Sequence, residues 1–449
     1  MKKDPGFQRG AGPRIIALLF IVLVSTALVG GYLIWGLGRG GPAPAALTGD
    51  VLVEPSLSSL DTSGATPDSV SELVQGANEF AFEIYSKLAK PDNNVFLSPY
   101  SIHTCLSMVY EGARGKTEEE MREVLNLPEE DDIRRPAFAE YQRQLYVDRV
   151  VKLKIANALW PQENYPFLEE YLETVQKYYL ARIEALDYMR DASGAVERIN
   201  EWAAEHTENK IKKVLEYLDP LTRLVLANAI YFKGDWLIPF DESRTESGKF
   251  YLPDGSSIET PIMQFHENRL MENLFYYAET DEIKALKLFY TGENVSIIFL
   301  LPKEESGGIE WLQSSFNYSD FEEVEGELRP TLMNEIKIPK FEFETEYGEE
   351  FKNALVDLGV VAAFGPGADF SGMNGGMEPL WIDQTIHKAY IKVDEKGTEA
   401  TAVTVISMVT GVPPPRPSFV ADHPFMFIIK DEKTGAILFI GSVSNPRSG

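Results

Sequence analysis

From Ile386 to Val393 apolar residues alternate with polar or small ones, which is the two-residue period of a strand. An acidic turn follows, Asp394-Glu395-Lys396-Gly397, and then a run from Thr398 to Thr410 made almost wholly of small and β-branched residues, which also favours extended backbone. The run stops at Gly411 and meets Pro413-Pro414-Pro415, which lack ladder donors and end any sheet. Two readings fit this stretch. One is a strand pair closed by a Pro-rich loop, and the other is a strand-competent segment held outside the sheet as an exposed loop.

Elsewhere the pattern mixes helical and strand periods. Ser69-x-x-Glu72 has the form of a capping box, and Val70, Leu73, Ala77, Phe80, Ile84 and Leu88 follow at helical spacing. Phe96-Leu97-Ser98-Pro99 ends a short strand, and Ser101 to Val109 reads as a buried helix. Val151, Leu153 and Ile155 alternate as a strand, Ile199, Trp202, Ala203 and Ile211 suit an amphipathic helix, and Leu224 to Phe232 is an apolar strand ending at Lys233-Gly234. Val295 to Leu301, Glu335 to Phe343, Met426 to Ile429 and Ile437 to Val443 also read as strands. Helices early and antiparallel-type strands late predict an α+β architecture in one domain, residues 68–449, with no internal repeat.

The N-terminus departs from this pattern. Residues 15–38 form an uncharged, mostly apolar stretch, long enough as a helix to span a bilayer. Lys2, Lys3, Arg9 and Arg14 lie in the basic segment 1–14 before it, which predicts a cytoplasmic N-terminus and an extracytoplasmic remainder. The competing reading is a signal peptide cleaved near Ala43-Pro44-Ala45, with the protein secreted. Residues 39–67, rich in Gly, Pro, Ala, Ser and Thr, read as a flexible tether. Gly36-x-Gly38-x-x-Gly41 has dinucleotide-loop spacing but follows the apolar run and opens no βαβ unit.

Composition adds exclusions more than assignments. The 449 residues carry a formal net charge of −27, which repels phosphate backbones and argues against nucleic acid as a partner. Arg122, Arg134 and Arg135 are too few among acids to form a basic patch for a polyanionic cofactor, and no cofactor or metal is expected. The single cysteine, Cys105, makes no intramolecular disulfide and sits among apolar residues beside His103. No Gly-x-Ser-x-Gly elbow occurs, and His103, His206, His266, His387 and His423 show no metal-ligand spacing. Gly115-Lys116-Thr117 resembles the end of a phosphate loop, but Tyr110 stands where the first glycine belongs and Glu118 to Glu120 follow. Those acids, and Glu129 to Asp132, read as solvated faces, and the residue chemistry supplies no catalytic constellation.

The order of segments resembles the serpins, a family of serine protease inhibitors, over residues 70–447. Asn94-x-x-x-Ser98-Pro99-x-Ser101-Ile102 looks like the family's first signature, and Ile199-Asn200-x-Trp202 with Thr207 and Ile211 is similar to the helix across its main sheet. Asn228-Ala229-Ile230-Tyr231-Phe232-Lys233-Gly234-x-Trp236 resembles the strand that follows. Leu358-Gly359 with Phe364, Ala368-Asp369-Phe370-Ser371-Gly372, His387-Lys388-Ala389, Glu395-Lys396-Gly397-Thr398-Glu399-Ala400 and Asp422-His423-Pro424-Phe425 complete the series. The resemblance implies a serpin fold with three β-sheets, about nine helices and an exposed reactive-centre loop after Glu395. It implies a monomeric inhibitor, not an enzyme, and a prokaryotic source would suit the membrane-anchored form.

The resemblance also assigns residues. Ser98, Ser101, Asn228 and His387 match the "shutter" beneath the main sheet, and Trp236, Lys340 and Glu395 the "breach" where the loop enters, with Lys340 and Glu395 expected as an ion pair. A protease that cuts the loop forms an acyl-enzyme, and the cleaved segment inserts as a new central strand and drags the protease away, a recognised mode of strand addition and strain release. Insertion at ~0.5–1.5 kcal/mol per hydrogen bond is worth on the order of 10 kcal/mol.

Insertion would turn Thr398, Ala400, Ala402, Thr404, Ile406 and Met408 inward, and these begin small and uncharged. In the hinge, Gly397 to Ala402, the outward Thr401, like Val403 beyond it, departs from the alanine-rich family pattern. Counting from Glu395 places the cut at Gly411–Val412, with Thr410–Gly411 and Met408–Val409 as the other candidates. None has Arg or Lys at the bond, so the expected targets are elastase-like or subtilisin-like proteases. The rival readings are a non-inhibitory serpin acting as a binding or chaperone-like protein, and a membrane-tethered hydrolase.

Overall fold

The computed structural model describes residues 16–25, 51–53, 56–147, 150–265, 269–270, 275–303, 307–396 and 416–448. Three sheets organise them, and ten α-helices lie among the described residues. The strands, numbered along the chain, are β1 (Ile16–Ser25), β2 (Val51–Val53), β3 (Val95–Leu97), β4 (Lys152–Pro161), β5 (Ala181–Glu184) and β6 (Thr222–Lys233). There follow β7 (Glu246–Tyr251), β8 (Ser257–Gln264), β9 (Phe275–Glu279), β10 (Ile283–Phe289), β11 (Val295–Pro302) and β12 (Arg329–Thr331). The last six are β13 (Glu335–Pro339), β14 (Phe341–Tyr347), β15 (Trp381–Val393), β16 (Ser418–Val420), β17 (Phe425–Asp431) and β18 (Ile437–Val443).

The main sheet has the order β14-β15-β1-β6-β4-β5-β2, the second β12-β9-β10-β11-β17-β18-β3, and the third β16-β13-β8-β7. The expected strands are present, with two informative differences. The run from Glu335 to Phe343 is two strands: β13 pairs with β8 as far as Pro339, the Lys340 amide still donates to Pro261 O at 2.9 Å, and β14 enters the main sheet at Phe341. β15 begins at Trp381, upstream of the expected Ile386, and its burial alternates from Thr385 to Val393 after an irregularity at Asp383–Gln384.

The first helix, α1 (Pro67–Leu88), starts one turn before the expected box. Thr66 is its N-cap, Ser69 Oγ accepts from the Thr66 amide at 3.0 Å and the Ser69 amide donates to Thr66 Oγ1 at 3.1 Å, with Pro67 preset for the first turn. The expected tether joins the body at β2, where Val51 faces Glu184 of β5, and again at Asp61, whose amide donates to Lys177 O and whose carboxylate pairs with Lys177 Nζ at 2.8 Å. In chain order come α2 (Pro99–Tyr110), α3 (Gly115–Val124), α4 (Asp131–Tyr146), α5 (Glu169–Tyr179) and α6 (Tyr188–His206). α6 ends before Ile211, which sequence periodicity had placed on it; Thr207 closes the helix and receives the Ile211 amide on its hydroxyl.

Two apolar clusters flank the main sheet. On one face α6 lays Ile199, Trp202 and Ala203 on Ala227, Ala229 and Tyr231 of β6, with Trp160 edge-on to Trp202 at 5.0 Å. On the other lies the larger core, containing α2, every residue of which is buried, and the second sheet. Cys105 is part of this core, and Arg134, counted from sequence among surface basic residues, is buried at 1% exposure against Glu111.

The residues expected within a membrane-crossing helix are, over Ile16–Ser25, a strand at the centre of the main sheet. The physical reason is that an unbroken apolar run rich in Ile and Val suits a strand covered on both faces as well as it suits lipid, and periodicity does not separate the two. No helix among the described residues is long and apolar enough to cross a membrane.

Candidate functional site

Ser98 caps α2: its hydroxyl accepts from the Ser101 amide at 3.2 Å and donates to Leu438 O of β18 at 2.8 Å. The Ser98 amide in turn donates to His387 Nε2 at 3.2 Å, so this imidazole nitrogen is an acceptor and His387 is neutral in that bond. Tyr347 and Phe351 rings pack on the imidazole. Ser98, Ser101 and His387 thus form one fully buried group beneath β15 that ties the helix, the main sheet and the second sheet together.

Asn228 does not join that group. It lies on β6, and β1 intervenes: Phe20 is the register partner of both Asn228 and His387. The Asn228 amide instead donates to Asn157 Oδ1 at 2.6 Å, and Asn157 donates to Gln142 Oε1 at 3.0 Å and Tyr179 O at 2.7 Å. Asn157, directly opposite Asn228 on β4, and Gln142 on α4 are members of the polar layer that sequence reasoning missed. The signal was there for Asn157, since the inward alternation through Leu153 and Ile155 continues to it. Gln142 carried none, because its partner is 15 residues away in sequence on another element.

At the end of β15 the chain is clamped. Lys340 Nζ lies 2.8 Å from Glu395 Oε2, and Thr245 Oγ1 donates to Glu395 Oε1 at 2.5 Å. Burial opposes the charge on Glu395, but the hydrogen bonds from Lys340 and Thr245 outweigh it and hold the carboxyl below its usual range. Trp236, buried, donates its indole N–H to Asp394 O at 3.3 Å and stacks on Tyr290 at 4.6 Å. Lys396 reaches Glu242 at 3.5 Å. Glu242, Thr245, Lys340, Glu395 and Lys396 border an open cleft of about 540 Å³, lined also by Lys392 and Glu342. Gly397, Thr398, Glu399, Ala400, Thr401, Ala402, Met408, Thr410, Gly411 and Val412 lie outside the described residues.

The remaining titratable candidates serve the frame. His103 Nε2 bonds Leu125 O at 2.8 Å, and burial lowers its pKa to about 4, so beside Cys105 it is a neutral core residue and not a general base. His423 is held between Asp422 and Pro302 O, each at 2.8 Å. Glu120 caps the Val361 and Ala362 amides, and Glu111 is buried between Arg134, Arg135 and the Tyr179 hydroxyl. Among the described residues no group of three or more His, Cys, Asp or Glu is placed to hold a metal.

The described residues form an α+β frame of three sheets with a strand end clamped at Glu395. The family model described as serpin (serine protease inhibitor) matches residues 75–446. A serpin-like protein of Thermococcus kodakarensis is 40% identical over 382 residues, covering 84% of this chain and 86% of that one. The leukocyte elastase inhibitor of Sus scrofa is 34% identical over 390 residues, covering 84% and 100%. The solved native stressed conformation of Arabidopsis AtSerpin1 superimposes with a TM-score of 0.72 at 27% identity, covering 84% and 99%. The chain belongs to the serpin family, which is described as one of serine protease inhibitors.

Proposed function

We propose that this protein is a suicide-substrate inhibitor of serine proteases with elastase-like or subtilisin-like specificity. The observation that carries the reading is the join at Glu395. A strand of the main sheet ends in an ion pair between the buried Glu395 and the partly exposed Lys340, and the next residues, Thr398, Ala400 and Ala402, have the small uncharged side chains that a strand needs to enter a packed sheet. A protease that acylates at Gly411–Val412, Thr410–Gly411 or Met408–Val409 would release that segment. Displacing its catalytic groups by about 1 Å stalls deacylation on the order of a hundredfold. The leukocyte elastase inhibitor among the relatives supports the specificity.

The test is incubation of residues 40–449 with elastase, subtilisin and trypsin. An SDS-resistant complex with either of the first two, and its acyl site by mass spectrometry within Met408–Val412, is the expected result. A complex with trypsin alone overturns the specificity. A second reading, a non-inhibitory binding serpin, is favoured by one observation: the centre of the main sheet already holds a strand, β1. In that case cleavage gives no complex and no gain in heat resistance, either in the full-length chain that carries β1 or in residues 40–449.

A further inference from the structure

β1 occupies a lane with a distinctive geometry. It pairs antiparallel with β6 from Ile16↔Phe232 to Ser25↔Thr222, and antiparallel with β15 from Ala17↔Tyr390 to Ser25↔Trp381. A segment that leaves the end of β15 at Lys396 and folds back along it must run antiparallel to β15 on one of its two flanks. One flank is β14, which is covalently continuous with β13 through Lys340. The other is β1, which starts level with Tyr390 and runs toward Trp381, the direction a returning loop would take. The apolar run IALLFIVLVS lacks the alternation of a half-exposed strand, and the strand it forms packs against α2.

We propose that Ile16–Ser25 is an intramolecular plug strand: it fills the lane the cleaved reactive loop would enter, so the chain with its N-terminus docked is cut by proteases without trapping them. Displacement of the segment arms the inhibitor. The proposal rests on the loop-insertion reading above. It makes the apolar N-terminus a regulator whose departure from the sheet is the switch, because one lane has hydrogen-bonding partners for one strand only.

Two variants of the full-length chain test it. Ile21→Cys with Ala227→Cys places cysteines at facing positions, where antiparallel partners lie ~4.5–5.5 Å apart, within disulfide reach. Val22→Pro removes a ladder donor from mid-strand and disfavours docking. The expected results are a 21–227 cross-link on oxidation, no rise in unfolding midpoint when the wild-type loop is cut, and a rise on the order of 10 °C when the Val22→Pro loop is cut. Absence of the cross-link overturns the proposal, as does a wild-type rise equal to that of Val22→Pro. A cross-link with no rise in either chain shows the strand docked but the loop unable to insert, which removes the insertion reading and the plug role with it.

Discussion

Glu395 is held by two donors at the point where the chain leaves the sheet, and its charge is what they hold. Because its carboxyl titrates lower in the folded than in the unfolded state, its contribution is complete above the ordinary value of about 4.3 and is lost as pH falls through the folded value. Glu395→Gln is therefore expected to be less stable than wild type near pH 7, by roughly 1–2 kcal/mol, and to converge on it as pH drops toward 3. Urea midpoints at a series of pH values read this, and a gap that stays constant down to pH 3 would sink the assignment. Ser98 does two jobs with one hydroxyl, capping α2 and bonding Leu438 O with no exposure to water. Ser98→Ala should cost about 1–3 kcal/mol, measured by urea unfolding, against a few tenths for an exposed serine such as Ser58.

At the scale of elements, close approach and not propensity decides where glycine stands in helices. A Cβ on Gly76 of α1 would lie 2.3 Å from Asn126 O, so Gly76→Ala should destabilise by roughly 1–3 kcal/mol although alanine is the better helix former. Gly326, in the helix Tyr318–Glu327, has nothing within 4 Å of that position, and Gly326→Ala should stabilise by about 0.5–1 kcal/mol. Thermal unfolding of the two variants gives opposite signs if the contacts are as described. The same distinction explains what could be read from the chain alone. β6, β11, β17, β18 and α1 announce themselves through period and composition, because their burial is a local property of alternate or helically spaced residues. The split at Pro339 and the end of α6 before Ile211 depend on which sheet or turn the backbone joins next. Ser98, Ser101, His387 and the Lys340–Glu395 pair were named through family resemblance, since no spacing of their own marks them. The Asn228–Asn157–Gln142 chain joins three elements, and β1 was placed in lipid because an all-apolar sheet strand and a membrane helix share a composition.

For the whole molecule, the main sheet behaves as two blocks whose mutual contact is made by whatever strand lies between them. β14 and β15 are tied to α2 and the second sheet through His387 and Ser98, whereas β6 and β4 are tied to α4 and α5 through Asn228, Asn157, Gln142 and the Tyr179 carbonyl. Each of these bonds lies within one block, so exchanging the strand between the blocks breaks none of them. The cost of exchanging the central strand then falls on the entering residues themselves, and the first of these is Thr398. In the register that follows Glu395, Thr398 turns inward and Glu399 outward. Thr398→Arg would have to desolvate a guanidinium in the packed sheet at a cost of several kcal/mol, while Glu399→Arg leaves its charge in water. Each ~1.4 kcal/mol added to the insertion barrier shifts the competition between trapping and deacylation tenfold. In residues 40–449, Thr398→Arg should therefore convert the chain from inhibitor to substrate, cutting the ratio of covalent complex to cleaved chain on the order of a hundredfold, with Glu399→Arg near wild type. Densitometry of SDS gels after elastase or subtilisin treatment measures that ratio, and equal loss in the two variants would place the effect on protease docking to the loop and not on its entry into the sheet.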